Sequence, residues 1–511
     1  MILGTMDREA TGNRTTLDDL FRRAGVRHAD AVALLDPPNR ERFADGAPRR
    51  LTYAQADRSI SAFAARLRGL GLQTDAVVAM QLPNTVESVI ALLGVLRAGM
   101  IAAPLPLLWR KQDMVAALGR IGAKAIVTAA RIGATGYAEI AMQVAAELFP
   151  IRHVCSFGHG LPDGVAPLDD IFAAGVVDFV HPPTRPGNAA AHVAAVTFDT
   201  RADGLVPMAR NHIELIAGGL GPYLECGAAL DASILSATPL GSFAGIALGL
   251  VPWLLGGGTL TLHHAFDPDV FADQCRTQEN GSVVLPGPVL GALAEAGHLG
   301  DASKTIVALW RSPERLAGSA PWRGDAALVD VASFGEVGML AALRGPDGLP
   351  IPIPYGSIGA PRSAAGAVTI IEVLRTGAGM LALRGPMVPA YAFPPGAERG
   401  TEPHLIVDGL GFVDTGVICR LERDSQTLVI DGPPGGITGI GGYRFRQNEV
   451  DWLVADADLD AIVVALPDAL LDQRLAGSAP DRAATAAELE ARGVNPLIAG
   501  AFRPRRRAAS A

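Results

Sequence analysis

The chain reads as an α/β protein carrying a β-rich subdomain and a small C-terminal domain, and three observations support this. Strand-length apolar runs alternate with amphipathic helical stretches through the first two thirds. Near Gly345 the texture changes, as PDGLPIPIPYGSIGAP precedes short strand-like pieces separated by turns. It changes again near Asp431, where DGPPGGITGIGG introduces a tail of helix and strand. The expected division is 1–430 for the large domain, with the β-rich part at about 345–430, and 431–511 for the small one.

In chain order, LTYAQADRSISAFAARLRGL places Ile60, Phe63, Ala64 and Leu67 on one helical face. VVAMQL is a buried strand, VESVIALLGVLRAG a helix ended by Gly99, and AKAIVTAA a further buried strand. The uncharged stretch from Pro239 to Leu262 is long enough to span a bilayer, but Pro252 and the run Gly256, Gly257, Gly258 divide it into a core helix and the strand TLTL. VTIIEV, GMLALRG and CRLE supply strands of the β-rich part.

With 511 residues and 49% apolar content, the chain has material for more than one packed core. Its net charge of −9 argues against a surface built to grip nucleic acid, so a small-molecule partner is expected. The N-terminus lacks a basic-then-apolar secretory pattern, which leads to a cytoplasmic expectation with no membrane span. Four scattered cysteines indicate neither a zinc site nor a disulfide framework. Lysine occurs only at Lys111, Lys124 and Lys304, so the chain's cationic chemistry is that of arginine. The FRPRRR tail is expected to be a solvated end.

The order of these segments resembles the adenylate-forming acyl-CoA synthetase family. The resemblance rests on LTYAQADR, QLPNTVESVIALLGVLRAGMIAAPLP, LVPWLLGGGTLTL, GSIGAP, MLALRGPMVPAY and GGYRFRQNEVDWLV, collinear over roughly residues 50–460. It implies ATP-dependent activation of a carboxylic acid to an acyl-adenylate and then an acyl-CoA, with ATP/AMP, Mg2+ and CoA as cofactors. It also implies a small C-terminal domain that moves, and leaves a homodimer open.

Carried over by position, the resemblance puts a phosphate loop at DTRADGLVPMARNH, where Thr197, Thr200 and Gly204 supply donors and Arg201 and Arg210 supply charge. Phe334 and Gly335 flank the adenine, Glu336 is the metal-associated acid, and Asp414 is the carboxylate nearest the ribose. Ser242, Phe243 and Gly245 open the acid pocket, with Trp253 either pocket wall or core. His212, His263 and His264 lack metal-ligand spacing and read as structural.

The chain departs from this pattern where the chemistry is concentrated. The loop carries one glycine, no lysine and two acids, Asp199 and Asp203; Val417 stands at the ribose aspartate, and no lysine follows Lys304. Three readings follow: an acid–CoA ligase that works through arginine and Glu336, a non-catalytic acyl- or nucleotide-binding relative serving as a regulatory or partner subunit, and an enzyme retaining only a transfer half-reaction.

Overall fold

The computed structural model describes residues 14–503, apart from residues 174, 176–178, 228–229, 278–280, 301–304 and 361–368. Lys304 and the end of the basic tail therefore lie outside the described residues.

Two mainly parallel sheets form the large domain. The seven-stranded sheet runs, from one edge, Gly204–Asn211, Val193–Arg201, Ile101–Pro104, Val77–Gln81, Ala125–Ala129, His153–Phe157 and Val165–Pro167. Its pairs are parallel except the first, which is a hairpin. The eight-stranded sheet runs Gly338–Leu343, Ala327–Phe334, Thr305–Trp310, Ser282–Pro286, Ile234–Ser236, Leu260–Leu262, Val32–Leu35 and Arg50–Thr52, antiparallel only at its two edges. Strands buried on both faces need continuous apolar runs, which is why VVAMQ and AIVTA lie wholly inside.

The helix Tyr53–Gly69 begins at a capping box between Thr52 and Gln55 and buries Ile60, Phe63, Ala64 and Leu67, the face read from the sequence. It packs on Val86–Arg97, which is buried along its length, and Gly99 follows at φ +80. The stretch after Pro239 is a continuous helical run from Phe243 to Gly256, with a π-type segment at Ile246–Leu250, then the strand Leu260–Leu262. Trp253 is core: it is fully buried and its indole N–H donates to the Gly258 carbonyl at 2.9 Å.

The helix His212–Cys226 rides directly on that run. A methyl group at Gly219 would lie 2.5 Å from Val251 Cγ1 and 2.6 Å from the Ala247 carbonyl oxygen, so only glycine permits the approach that seats Phe243.

The chain then builds an antiparallel six-stranded sheet from residues 353–432, and its last strand ends at Gly432. From Ile437 a separate four-stranded sheet begins, covered by Gln447–Ala457 and Arg482–Ala491 around its own core of Val450, Val454, Leu489 and Phe502. The molecule is thus a large α/β domain with a small C-terminal α+β domain. Among the described residues no helix is long and apolar enough to cross a membrane.

Candidate functional site

At the expected phosphate loop the chain makes a hairpin. Val193–Arg201 pairs with Gly204–Asn211 out to Arg201↔Gly204, leaving Ala202 and Asp203 as the turn. Ladder pairing occupies backbone groups that an open loop would present to a phosphate. Strand alternation then sorts the side chains. Phe198 packs on Trp109 in the core of the seven-stranded sheet, while Asp199 and Arg201 share the other face.

Asp199 is buried, and its Oδ2 lies 3.3 Å from Arg201 Nε. Its Oδ1 lies 3.5 Å from Nη1 of Arg444, a residue of the C-terminal domain. A methyl group on Gly335, which sits at φ +58, would come within 2.6 Å of the same Oδ1. The aspartate carboxylate thus rests on the glycine that the resemblance assigns to the adenine. Phe334 beside it is fully buried in the large core and offers no ring face to a ligand.

Glu336, Arg210, Ser242, Phe243 and Gly245 do come together, with Thr197 beside them. Glu336 Oε2 accepts the Phe243 N–H at 2.7 Å, at the start of the helical run. Burial raises the Glu336 carboxyl above its ordinary range, opposed by the guanidinium of Arg311, the Phe243 N–H, Arg210 and the Thr197 hydroxyl. Arg210 is buried to 1% exposure and stacks over Phe243, 3.7 Å from the ring centroid. Its Nε donates to the Met387 carbonyl at 3.1 Å, and its Nη2 to the carbonyls of Glu336 and of Val337, the latter at 2.8 Å. Desolvation lowers its pKa to about 10, which leaves it charged at neutral pH. Ser242 Oγ accepts from Gly245 N–H at 3.2 Å and from Arg311 Nη2 at 2.7 Å.

Asp414 stands apart from this group. Its Oδ1 accepts the Gly416 N–H at 2.7 Å, its carbonyl accepts from Arg201 Nη2 at 2.8 Å, and Val417 points into the core. With Thr200, Arg201, Asp203 and Arg444 it lines a cavity of about 430 Å³ between the hairpin tip, the six-stranded sheet and the C-terminal domain. Met380, Ile406 and Phe412 form part of its apolar wall. Gly204 lies at the hairpin tip, against Pro403.

The C-terminal domain closes over the site by Gly441–Arg444. Tyr443 packs against the core of the seven-stranded sheet, and the stem of Arg311 lies so close to Gly442 that a methyl there would meet Arg311 Cδ at 2.2 Å. Asp199 as a fixed counter-ion, Arg311 and Arg444 escape sequence reasoning. The signal that marks Arg444 is its place in the GGYRF block; nothing in the local sequence marks Arg311.

The histidines are structural. His212 Nδ1 accepts the Leu17 N–H at 3.2 Å, and His263 pairs with Gln274 Oε1 at 2.6 Å. The site does not fit a magnesium ion. One Glu336 oxygen holds a backbone N–H, two guanidinium groups flank the carboxyl, and the described residues contain no cluster of three His, Cys, Asp or Glu that could hold a metal.

Comparison with known proteins agrees with this architecture. A family profile described as AMP-binding enzyme matches residues 21–195. The 2-hydroxy-7-methoxy-5-methyl-1-naphthoate–CoA ligase of Streptomyces carzinostaticus is 26% identical over 472 residues, covering 87% of this chain and 80% of that protein. The salicyl-AMP ligase / salicyl-S-ArCP synthetase of Mycobacterium tuberculosis is 26% identical over 479 residues, covering 90% and 80%. The amide bond synthetase McbA from Marinactinospora thermotolerans superposes with a TM-score of 0.67 at 18% identity, covering 95% of this chain and 94% of that one, which shows the shared fold. The profile match over residues 21–195 and the near full-length relatives, on the architecture just described, support an adenylate-forming, acyl-CoA-synthetase-like family member.

Proposed function

We propose that this protein binds a small carboxylic acid, with aryl acids foremost, and does not carry it through ATP-dependent adenylation. The observation behind this reading is the closed hairpin with Asp199 lying on Gly335. Adenylation drives a carboxylate against a polyphosphate, so preorganised cations must offset the repulsion in the transition state. Here Arg210 is held by three carbonyls, Arg201 by Asp199 and the Asp414 carbonyl, and the sequence beyond Lys304 has no lysine. Losing one preorganised donor costs about 10²–10³ in rate, and several losses in one site leave little to remove. The naphthoate and salicyl names of the relatives support the aryl class.

With ATP, magnesium and a panel of aryl and fatty acids, the purified protein is expected to show no acid-dependent exchange of labelled pyrophosphate into ATP. The second reading, a ligase working through arginine, is favoured by Arg201 and Arg444 lining one cavity with Asp414. Exchange above background that Arg201→Ala abolishes would overturn the first reading and establish the second.

A further inference from the structure

We infer that Arg311, assisted by the Ser242 hydroxyl, is the group that receives the carboxylate of the bound acid. This rests on the acid-binding reading above and adds a recognition residue to it.

Arginines of the large domain differ in what partners them. Arg40 holds Asp36 at 2.6 Å, Arg97 holds Asp18 at 2.7 Å, and Arg344 holds Asp330 at 2.6 Å. These are closed, compensated ion pairs, as burial of charge requires. Arg311 differs. Among the described residues no carboxylate lies within 4 Å of it, and its hydrogen-bond partner is the neutral Ser242 Oγ. A guanidinium carries five N–H donors in a planar fork that matches a carboxylate, and the half-buried Arg311 commits one of them to Ser242, leaving the rest of the fork open to a ligand.

Its position is that of a ligand group. Arg311 follows directly on Thr305–Trp310, a central strand of the parallel run, and ligands of such sheets bind at the carboxyl ends of the strands. Its neighbours there are Ser242 and the carboxyl of Glu336, with Gly442 and Tyr443 of the C-terminal domain packed above. The Glu336 carboxyl lies near Arg311 but makes no ion pair with it within 4 Å, and its Oε2 accepts the Phe243 N–H. Gly442 is the residue that lets the loop close on the Arg311 stem, so the C-terminal domain holds the fork in place as it covers it.

The test is a charge discrimination. Benzoate, salicylate, 1-naphthoate and octanoate are each titrated calorimetrically beside their primary amides, into the full-length protein and into Arg311→Met and Ser242→Ala. The wild type is expected to prefer at least one acid over its amide by about 10–100-fold, the strength of a charge-assisted pair. Arg311→Met should bring acid and amide within about threefold of each other while still binding both, and Ser242→Ala should reduce the preference less. Retention of the full preference in Arg311→Met, with melting temperature and circular dichroism unchanged, overturns the assignment and leaves acid binding standing. A wild type that binds no member of the panel overturns acid binding itself and the assignment with it.

Discussion

At the residue scale, burial decides which groups act as charges and which act as struts. His212 shows the principle most simply. Desolvation lowers its pKa from 6.5 to about 4, and the neutral ring accepts the Leu17 N–H that opens the N-terminal helix. The unfolded chain therefore takes up a proton that the folded chain refuses. The stabilisation is complete above pH 6.5 and is lost as pH falls toward 4, by roughly 3 kcal/mol at 1.36 kcal/mol per pKa unit. His212→Asn, which cannot titrate there, is expected to flatten the melting temperature between pH 7 and pH 4.5 relative to wild type. Parallel curves for the two proteins would show that His212 does not carry the effect. Glu336 follows the same physics, since a carboxyl placed in the core and tied to a backbone N–H is held away from a metal's ordinary surroundings.

At the element scale, contact between two helices sets the position of the site. The helix His212–Cys226 meets the run from Phe243 to Gly256 through Gly218 and Gly219, and Phe243 supplies both the Glu336 hydrogen bond and the ring beneath Arg210. Gly219→Ala adds a methyl 2.6 Å from a backbone oxygen that cannot swing aside. Helix propensity favours alanine by about 1 kcal/mol, but overpacking costs about 1–3 kcal/mol. A net loss of stability is expected, read as a lower melting temperature, together with weaker acid binding as Phe243 moves. Leu220→Ala, on the exposed side of the same helix, should change stability by less than about 0.5 kcal/mol. Equal melting temperatures for Gly219→Ala and wild type would mean that the two helices can separate freely.

At the scale of the whole molecule, an ion pair and hydrogen bonds join the two domains. Asp199 reaches Arg444 across the domain boundary, Arg315 donates to the Ala469 and Leu470 carbonyls, and the Gly493 carbonyl accepts the Gln112 N–H at 3.3 Å. Asp199→Asn keeps the shape of the side chain and removes the charge. Cleavage by subtilisin within residues 433–436, between the two sheets, is expected to accelerate several-fold, with a larger radius of gyration in solution scattering. If both quantities match wild type, the packing of Tyr443 holds the domains without the ion pair.

Local chemistry made much of this protein legible from its residues. The buried strands VVAMQ and AIVTA, the helix face of Ile60, Phe63, Ala64 and Leu67, and the division of the Pro239–Leu262 stretch follow from periodicity and from glycine and proline, which act over a few residues. The absence of lysine from the loop and from the chain beyond Lys304 was equally plain, because composition needs no coordinates. Only the tertiary structure decided what replaced the lysine chemistry. Residues 197–211 could have formed an open loop or a hairpin, and pairing out to Arg201↔Gly204, with Asp199 set on Gly335 and against Arg444, brings together groups far apart in sequence. The same holds for Arg311, which is unremarkable in LWRSP. Its significance is that folding supplies carboxylates to Arg40, Arg97 and Arg344 and only a serine hydroxyl to Arg311, a difference that depends on contacts between distant segments.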